Sequence, residues 1–259
     1  MTFLNIFIFF ILGTIIGSFL NVVVFRYNTG LSCAKGRSKC FSCNNELSWY
    51  ELVPLFSFLF LRGKCLSCNS KISIQYPLVE FITGIVFSLT FWKVGVDVFL
   101  PFYLVIFSLL IAISVYDLKH KIIPDGMSFS FVLVSFVILL VKMNLNLFNI
   151  YDLLAGPVLA SFFAFFWLVS SGKWMGFGDA KLALGVGWFL GMTGGTFAII
   201  LSFWIGAIFS LLLIAWEKIR HLKWGIGMKS EIPFAPFIIL STTIQFLTGL
   251  TLFKFILLF

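Results

Sequence analysis

Apolar runs of roughly twenty residues recur along the chain, separated by short polar stretches. Runs of that length cross the hydrocarbon core of a bilayer as helices. Within lipid, a helix pairs its own backbone polar groups, which irregular chain cannot do. The pattern predicts eight segments: about Phe3 to Phe25, Tyr76 to Trp92, Val98 to Tyr116, Met127 to Val141, Ile150 to Val169, Leu182 to Met192, Thr196 to Trp216 and Phe234 to Leu252. The sixth is short and carries glycine, so it spans only if its polar flanks enter the bilayer with it. Thr193-Gly194-Gly195 is expected to turn the chain into the seventh. One long polar region, Arg26 to about Gln75, interrupts the series. The expected fold class is an all-α polytopic membrane protein of about eight transmembrane helices. A small cytoplasmic four-Cys domain is inserted between helices 1 and 2. The expected division is residues 1–25 as transmembrane helix 1, 26–76 as the four-Cys domain and 77–259 as the transmembrane core.

Composition excludes a soluble globule: 61% of residues are hydrophobic and 11% charged, and the mean hydropathy is +1.09. A net charge of +8 would point to nucleic acid in a soluble protein. Here topology explains the excess, and no nucleic-acid partner is expected. With the N-terminus outside, 15 of the 18 basic residues fall on inside loops, among them Arg26, Lys35, Lys119, Lys121, Lys181, Lys218, Arg220, Lys223 and Lys229. Only Lys93, Lys142 and Lys254 fall outside. Basic residues accumulate in cytoplasmic loops, so the polar domain, Asp117 and Asp179 are expected on the cytoplasmic side. The first segment is too long for a signal-peptide core and has no basic stretch before it, so it reads as a retained helix.

The five cysteines all lie between residues 33 and 68. Cys40-Phe41-Ser42-Cys43 and Cys65-Leu66-Ser67-Cys68 are two C-x-x-C pairs with 21 residues between them. Four thiolates at such spacing suit a tetrahedral, structural Zn2+. The competing readings are two disulfides or free thiols, which a reducing cytoplasmic setting disfavours for the disulfides. Cys33 is left over as a free thiol. The apolar stretch Trp49 to Leu61 is expected to pack on this small fold or on the membrane surface.

Two acids stand out against so apolar a background. Asp117 ends the third segment, and Asp179 lies in Gly176-Phe177-Gly178-Asp179-Ala180-Lys181-Leu182, just before the sixth. Segments four and five intervene as one excursion out and back, so both acids return to one membrane face. Two carboxylates sharing a site can divide hydrolysis between a base and an acid, because like charge at close range keeps them from ionising together. Gly176 and Gly178, lacking side chains, would let a substrate backbone approach. Taken singly, Asp117 also reads as a solvated interfacial acid and Asp179 as a helix N-cap. Asp125 reads as the N-cap of segment four. Glu80 within segment two reads as structural, Asp152 as interfacial, and neither His120 nor His221 as a metal ligand.

The ordered set of motifs resembles the type IV prepilin peptidases, also called leader peptidase/N-methyltransferases. Gly17-Ser18-Phe19-Leu20-Asn21 through Arg26 is similar to the family's opening motif. The paired cysteines follow, with Leu61-Arg62-Gly63-Lys64-Cys65 between them, then Ile72-Ser73 and Tyr76-Pro77-Leu78-Val79-Glu80. Asp117 to Asp125 resembles the first aspartate motif, Gly176 to Leu182 the Gly-x-Gly-Asp motif, and Pro233-Phe234-Ala235-Pro236-Phe237 a late motif. The resemblance implies an aspartic membrane protease with Asp117 and Asp179 as its dyad. Such enzymes cleave the basic leader of type IV pilin or pseudopilin precursors after a glycine, on the cytoplasmic side of the bacterial inner membrane. Many members then methylate the new N-terminus with S-adenosylmethionine, an activity associated with the cysteine domain. Two positions depart from the family pattern. Ala235 stands where Gly is usual, a change expected not to touch the dyad, and Lys119 stands where many members carry a second acid.

Two other classes compete. A small ion-coupled transporter would use Asp117, Asp179 and Glu80 near the bilayer midplane and show an internal repeat. A non-enzymatic zinc-ribbon membrane adaptor would leave the Asp pair and its glycines without a purpose.

Overall fold

The computed structural model describes residues 3–33, 36–145, 149–220, 232–252 and 254, with residues 218 and 220 described by backbone alone. His221, Lys223 and Lys229, to which charge and ligand expectations were attached, lie outside the described residues, as does Lys35. Among the described residues all regular structure is helical, apart from two isolated β-bridges. Six helices are long and apolar enough to cross a membrane: Phe3–Arg26, Gln75–Val94, Leu100–His120, Asp125–Asn144, Ile150–Ser170 and Phe177–Glu217. The chain divides into two compact units, Met1–Ala112 and Ile113–Phe259.

The first unit holds α1 (Phe3–Arg26), a 3-10 turn (Trp49–Leu52), the short α2 (Phe56–Phe60), α3 (Gln75–Val94) and the first half of α4 (Leu100–His120). Lipid is as apolar as Leu, so helices in a bilayer gain little from hydrophobic burial and associate where small residues let backbones touch. Gly13 and Gly17, one turn apart on α1, provide that contact. A Cβ on Gly13 would stand 2.6 Å from the Thr83 carbonyl oxygen, and one on Gly17 would stand 2.8 Å from the Glu80 Cα. Phe9 stacks on Phe91 with ring centroids 4.3 Å apart. The Ser88 hydroxyl donates to the Ile6 carbonyl at 3.2 Å. The opposite side of α1, including Phe7, Ile11, Ile15 and Phe19, is exposed and has the apolar character of a lipid-facing surface.

The second unit holds the end of α4, α5 (Asp125–Asn144), α6 (Ile150–Ser170), α7 (Phe177–Arg220) and α8 (Ala235–Thr248). Helix α7 is broken at Gly191, whose φ of 74° and ψ of −179° interrupt the helical path. Its two limbs, 177–190 and 192–220, form a hairpin along α6. In the first limb, Phe177 lies 5.2 Å from Trp167 near the end of α6, and the Trp188 indole donates to the Leu153 carbonyl near its start at 3.0 Å. The second limb returns: a Cβ on Gly195 would lie 2.8 Å from Leu159, and Phe203 stacks on Phe163 at 6.0 Å. The expected reversal exists, but not at Thr193-Gly194-Gly195, which are helical. Gly191 makes the turn because it tolerates a positive φ, and Asp152 completes it by accepting the Met192 N–H at 3.2 Å. Gly194 and Gly195 serve packing instead, against Gln245 and Leu159. At 1.5 Å per residue the first limb rises about 21 Å, short of the roughly 30 Å hydrocarbon core. Among the described residues, counting the two limbs of α7 separately and adding the shorter, apolar α8 gives eight apolar helical stretches, at about the positions of the eight predicted segments.

Two segment ends differ from expectation in ways that matter for the site. Helix α4 continues one turn past Tyr116, so Asp117 lies inside it, and the Lys121 N–H closes that turn on the Asp117 carbonyl at 2.7 Å. Asp125 is not the N-cap of α5; Pro124 occupies that position with an extended backbone, and Asp125 is the first helical residue. Its carboxylate is engaged elsewhere.

Candidate active site and four-sulfur cluster

Asp117 and Asp179 both belong to the second unit, and both are buried, at 4% and 7% exposure. Each lies within one turn of a helix end, Asp117 at the C-terminal end of α4 and Asp179 in the first turn of α7. They are near enough for the charge of Asp117 to act on Asp179. The Gly176 backbone N–H faces the Asp179 carboxylate. On Asp117, Oδ2 is buried and has no hydrogen-bond partner, while the Ala235 backbone N–H faces the carboxyl group. Ala235 opens α8 and is fully buried. The late proline motif therefore does reach the acid pair, through its backbone and not through its side chain. That contact was invisible in the sequence, because an N–H carries no residue-type signal.

The two glycines of the Gly-x-Gly-Asp stretch meet different surroundings. A Cβ on Gly178 would stand 2.8 Å from the Ile123 Cβ, so this glycine lets the first turn of α7 close on the loop before α5. A Cβ on Gly176 would meet nothing nearer than Asp179 Oδ2, at 3.8 Å. At Gly176, unlike Gly178, an added methyl would make only ordinary van der Waals contacts, with Asp179 Oδ2 at 3.8 Å and the Gly178 nitrogen at 3.9 Å. Lys181 Nζ binds Asp125 Oδ1 at 2.6 Å and stands over the rings of Phe129 and Phe177, 5.2 and 5.4 Å from their centroids. This ion pair joins the start of α5 to the start of α7, and single-residue reasoning did not anticipate it. Lys119 is exposed on α4. The His120 ring packs on Tyr116 at 4.4 Å.

In the first unit, the sulfur atoms of Cys40, Cys43, Cys65 and Cys68 all lie within 4.8 Å of one another. The cluster is built from two matching loops. In one, the Cys40 N–H bonds the Asn45 carbonyl and the Asn44 N–H bonds the Cys40 carbonyl, both at 2.9 Å. In the other, Cys65 bonds Ser70 at 2.9 Å and Asn69 bonds Cys65 at 3.0 Å. Asn44 and Asn69 take left-handed φ values of 57° and 56°, which Asn accommodates readily. Bridges Lys39 to Glu46 and Lys64 to Lys71 close the loops. Tetrahedral zinc with Zn–S bonds near 2.3 Å requires S···S separations of about 3.8 Å. Cys40 and Cys68 stand 3.8 Å apart, so the geometry fits the metal. Cys33 is not part of the cluster.

Local donors prepare two of the thiols for this role. The Cys43 and Ser42 N–H groups and the Ser70 hydroxyl bring Cys40 down to about 6. The Ser70 hydroxyl and N–H likewise lower Cys68. At Cys43 the Asn45 N–H acts downward, but desolvation and the neighbouring Cys40 and Cys68 outweigh it and raise the thiol to about 11.

Two buried carboxylates at helix ends of a polytopic helical protein are a candidate pair for acid–base chemistry. Comparison with known proteins identifies the family. Residues 11–94 match the Bacterial Peptidase A24 N-terminal domain, and residues 104–211 match the Type IV leader peptidase family. A prepilin leader peptidase/N-methyltransferase of Bacillus subtilis is 31% identical over 250 residues, covering 96% of this chain and 96% of that protein. One from Pseudomonas aeruginosa is 30% identical over 272 residues, covering 92% of this chain and 89% of that protein. One from Myxococcus xanthus is 41% identical over 119 residues, 46% of this chain and 36% of that protein. No solved structure gives a significant match. The chain belongs to the type IV prepilin leader peptidase family, and is a multi-pass membrane enzyme of that family.

Proposed function

We propose that this protein is a membrane aspartic endopeptidase that removes the leader of type IV pilin or pseudopilin precursors. It cuts after a glycine, on the cytoplasmic side of the bacterial inner membrane, and N-methylates the new N-terminus. The observation that carries the peptidase reading is the buried pair Asp117 and Asp179, set at neighbouring helix ends with Gly176 beside it. One carboxylate, ionised, takes a proton from water as the water attacks the scissile carbonyl. The other, protonated, donates to the carbonyl oxygen, and the proton taken from water then passes to the leaving nitrogen. The Ala235 N–H orients Asp117, and Gly176, lacking a side chain, admits the extended substrate backbone. The apolar helix of the precursor stays in lipid while its cleavage point reaches the membrane edge. A chain of net charge +8 does not attract a basic leader, so recognition runs through that helix and the backbone.

The sidedness rests on the distribution of basic residues, 15 inside against 3 outside. The division into helix 1, a four-Cys domain over residues 26–76 and a peptidase core over residues 77–259 belongs to the same proposal. Zn2+ on Cys40, Cys43, Cys65 and Cys68 would stabilise the inserted domain without opening a reactive position. S-adenosylmethionine is the methyl donor in this reading, as the N-methyltransferase names of the relatives support.

The test is incubation of the purified protein with a pilin-like precursor, with and without S-adenosylmethionine, followed by mass spectrometry. Asp117→Asn and Asp179→Asn are each expected to slow cleavage by roughly 10²–10⁴-fold while remaining folded. Cleavage at the wild-type rate by either variant removes the dyad assignment. A mass gain of one methyl group, dependent on S-adenosylmethionine, tests the second activity.

A further inference from the structure

The contact between α1 and α3 encloses oxygen acceptors that peptide cleavage does not use. Glu80 on α3 is 7% exposed, and among the described residues it forms no ion pair. Its Oε2 accepts the Leu55 N–H at 2.8 Å, and the half-buried Ser18 of α1 bonds the same carboxylate through its hydroxyl. Asn21, one turn beyond Gly17, is 3% exposed. Its Nδ2 donates to the carbonyls of Gly17 and Tyr76, each at 3.2 Å. That leaves Asn21 Oδ1 buried with no partner.

A buried carboxylate without a cation and a buried amide oxygen without a donor are both costly. Neither is needed to join the helices, because the glycine contacts already do so. Ser18, which bonds Glu80, precedes Asn21 by three residues and so lies on the same side of α1. Gly17 faces the Glu80 Cα, while Asn21 reaches the Tyr76 carbonyl, one turn away on each helix, a rise of about 6 Å. What completes such a set is a compact cation that carries several N–H donors. A sulfonium brings charge but no donor for Asn21. A metal ion finds only one carboxylate. A primary ammonium satisfies both, with its charge on Glu80 and one N–H on Asn21 Oδ1.

We infer that Ser18, Asn21 and Glu80 form a binding site for a primary ammonium group. Resting on the N-methylation reading above, the group is the N-terminus freed by leader removal. Glu80 lies five residues from the start of α3 and Asn21 five from the end of α1. The carboxylate that holds the ammonium also takes its proton, leaving a neutral amine with a free lone pair and a neutral carboxylic acid. The amine lone pair then forms an N–C bond to the methyl group of S-adenosylmethionine as its S–C bond breaks, so that S-adenosylhomocysteine leaves as a neutral thioether and the positive charge stays on the methylated nitrogen.

Glu80→Gln separates this role from a merely structural one, because glutamine keeps an oxygen for the Leu55 N–H and removes only the charge. The full-length protein is given a leaderless pilin peptide with a free N-terminus, and its N-acetyl twin, without methyl donor. The wild type is expected to bind the free amine about tenfold more tightly, and Glu80→Gln is expected to lose that preference. Methylation falls by about tenfold or more in the variant while cleavage, which runs on Asp117 and Asp179, continues and reports an intact fold. If the wild type shows no preference for the free amine but Glu80→Gln weakens S-adenosylmethionine binding about tenfold, the ammonium held there is the α-ammonium of the donor. Unchanged binding of both molecules overturns the site. So does a loss of cleavage in step with methylation, which would make Glu80 a strap for the Leu55 loop. A wild-type protein that cleaves and never methylates refutes the N-methylation reading, while the free-amine preference still decides this one.

Discussion

Gly176 and Gly178 show how much one residue's surroundings matter beside this acid pair. Both looked like points of substrate approach, yet Gly176 has only ordinary contacts at 3.8–3.9 Å, while Gly178 is pressed on Ile123. Gly178→Ala is therefore expected to cost about 1–3 kcal/mol through displacement of Ile123, and to lower cleavage because Asp179 moves with its loop. Gly176→Ala has room for its methyl and is expected to leave stability within about 0.5 kcal/mol while raising KM for the precursor. Thermal unfolding beside cleavage kinetics for the two variants tests both statements. The Asp125–Lys181 pair is a second residue-scale device. Asp125 is 68% exposed and Lys181 19%, so solvent screens the pair on one side. A double-mutant cycle between Asp125→Ala and Lys181→Ala is expected to give a coupling of no more than about 1 kcal/mol. Additive losses would show that the pair does not act as a unit.

Among the elements, α7 departs furthest from a simple hydrophobic run. The glycine-rich stretch reads as a short segment six joined at Thr193-Gly194-Gly195 to a longer segment seven, but the turn is at Gly191. The turn is decided by α6, which places Asp152 where it accepts the Met192 N–H and fills the space beside Gly191. Gly191→Ala would combine a left-handed φ with a contact against the Asp152 carboxylate, and is expected to destabilise the protein by about 1–3 kcal/mol. Asp152→Ala, which removes the acceptor, is expected to cost about 1 kcal/mol. Asp152→Asn keeps an oxygen in place and should retain most of that stability. A melting series that ranks Asn as harmful as Ala would reject the cap. The same logic explains why Asp125 did not become a cap: Pro124 already supplies the extended entry to α5, and Lys181 offers Asp125 a charged partner.

At the scale of the whole molecule, one unit carries the four-sulfur loop and the acceptor set of Ser18, Asn21 and Glu80, and the other carries the dyad. Metal analysis of the wild type is expected to find one zinc per chain, and Cys40→Ser or Cys65→Ser to lose most of it. Unchanged zinc in both variants would count against the cluster. Because Cys43 stands near 11, zinc added to metal-free protein at neutral pH must displace protons, so affinity falls as pH falls. A calorimetric titration in two buffers of different ionisation enthalpy reads that release. Much of this organisation was legible along the chain, because bilayer thickness sets segment length and paired C-x-x-C spacing is a local signal. The sequence alone determined the apolar helical segments and the four-cysteine cluster, and it singled out Asp117 and Asp179, since each of these readings depends on residues close together or on a physical length. The tertiary structure alone decided which glycine bends α7, that Gly178 and not Gly176 is pressed on a neighbour, that the Ala235 N–H meets Asp117, and that Glu80 meets Ser18 and Leu55 while Asn21 reaches Tyr76. Those features depend on backbone groups and on neighbours distant in sequence, and residue type does not encode where such groups meet.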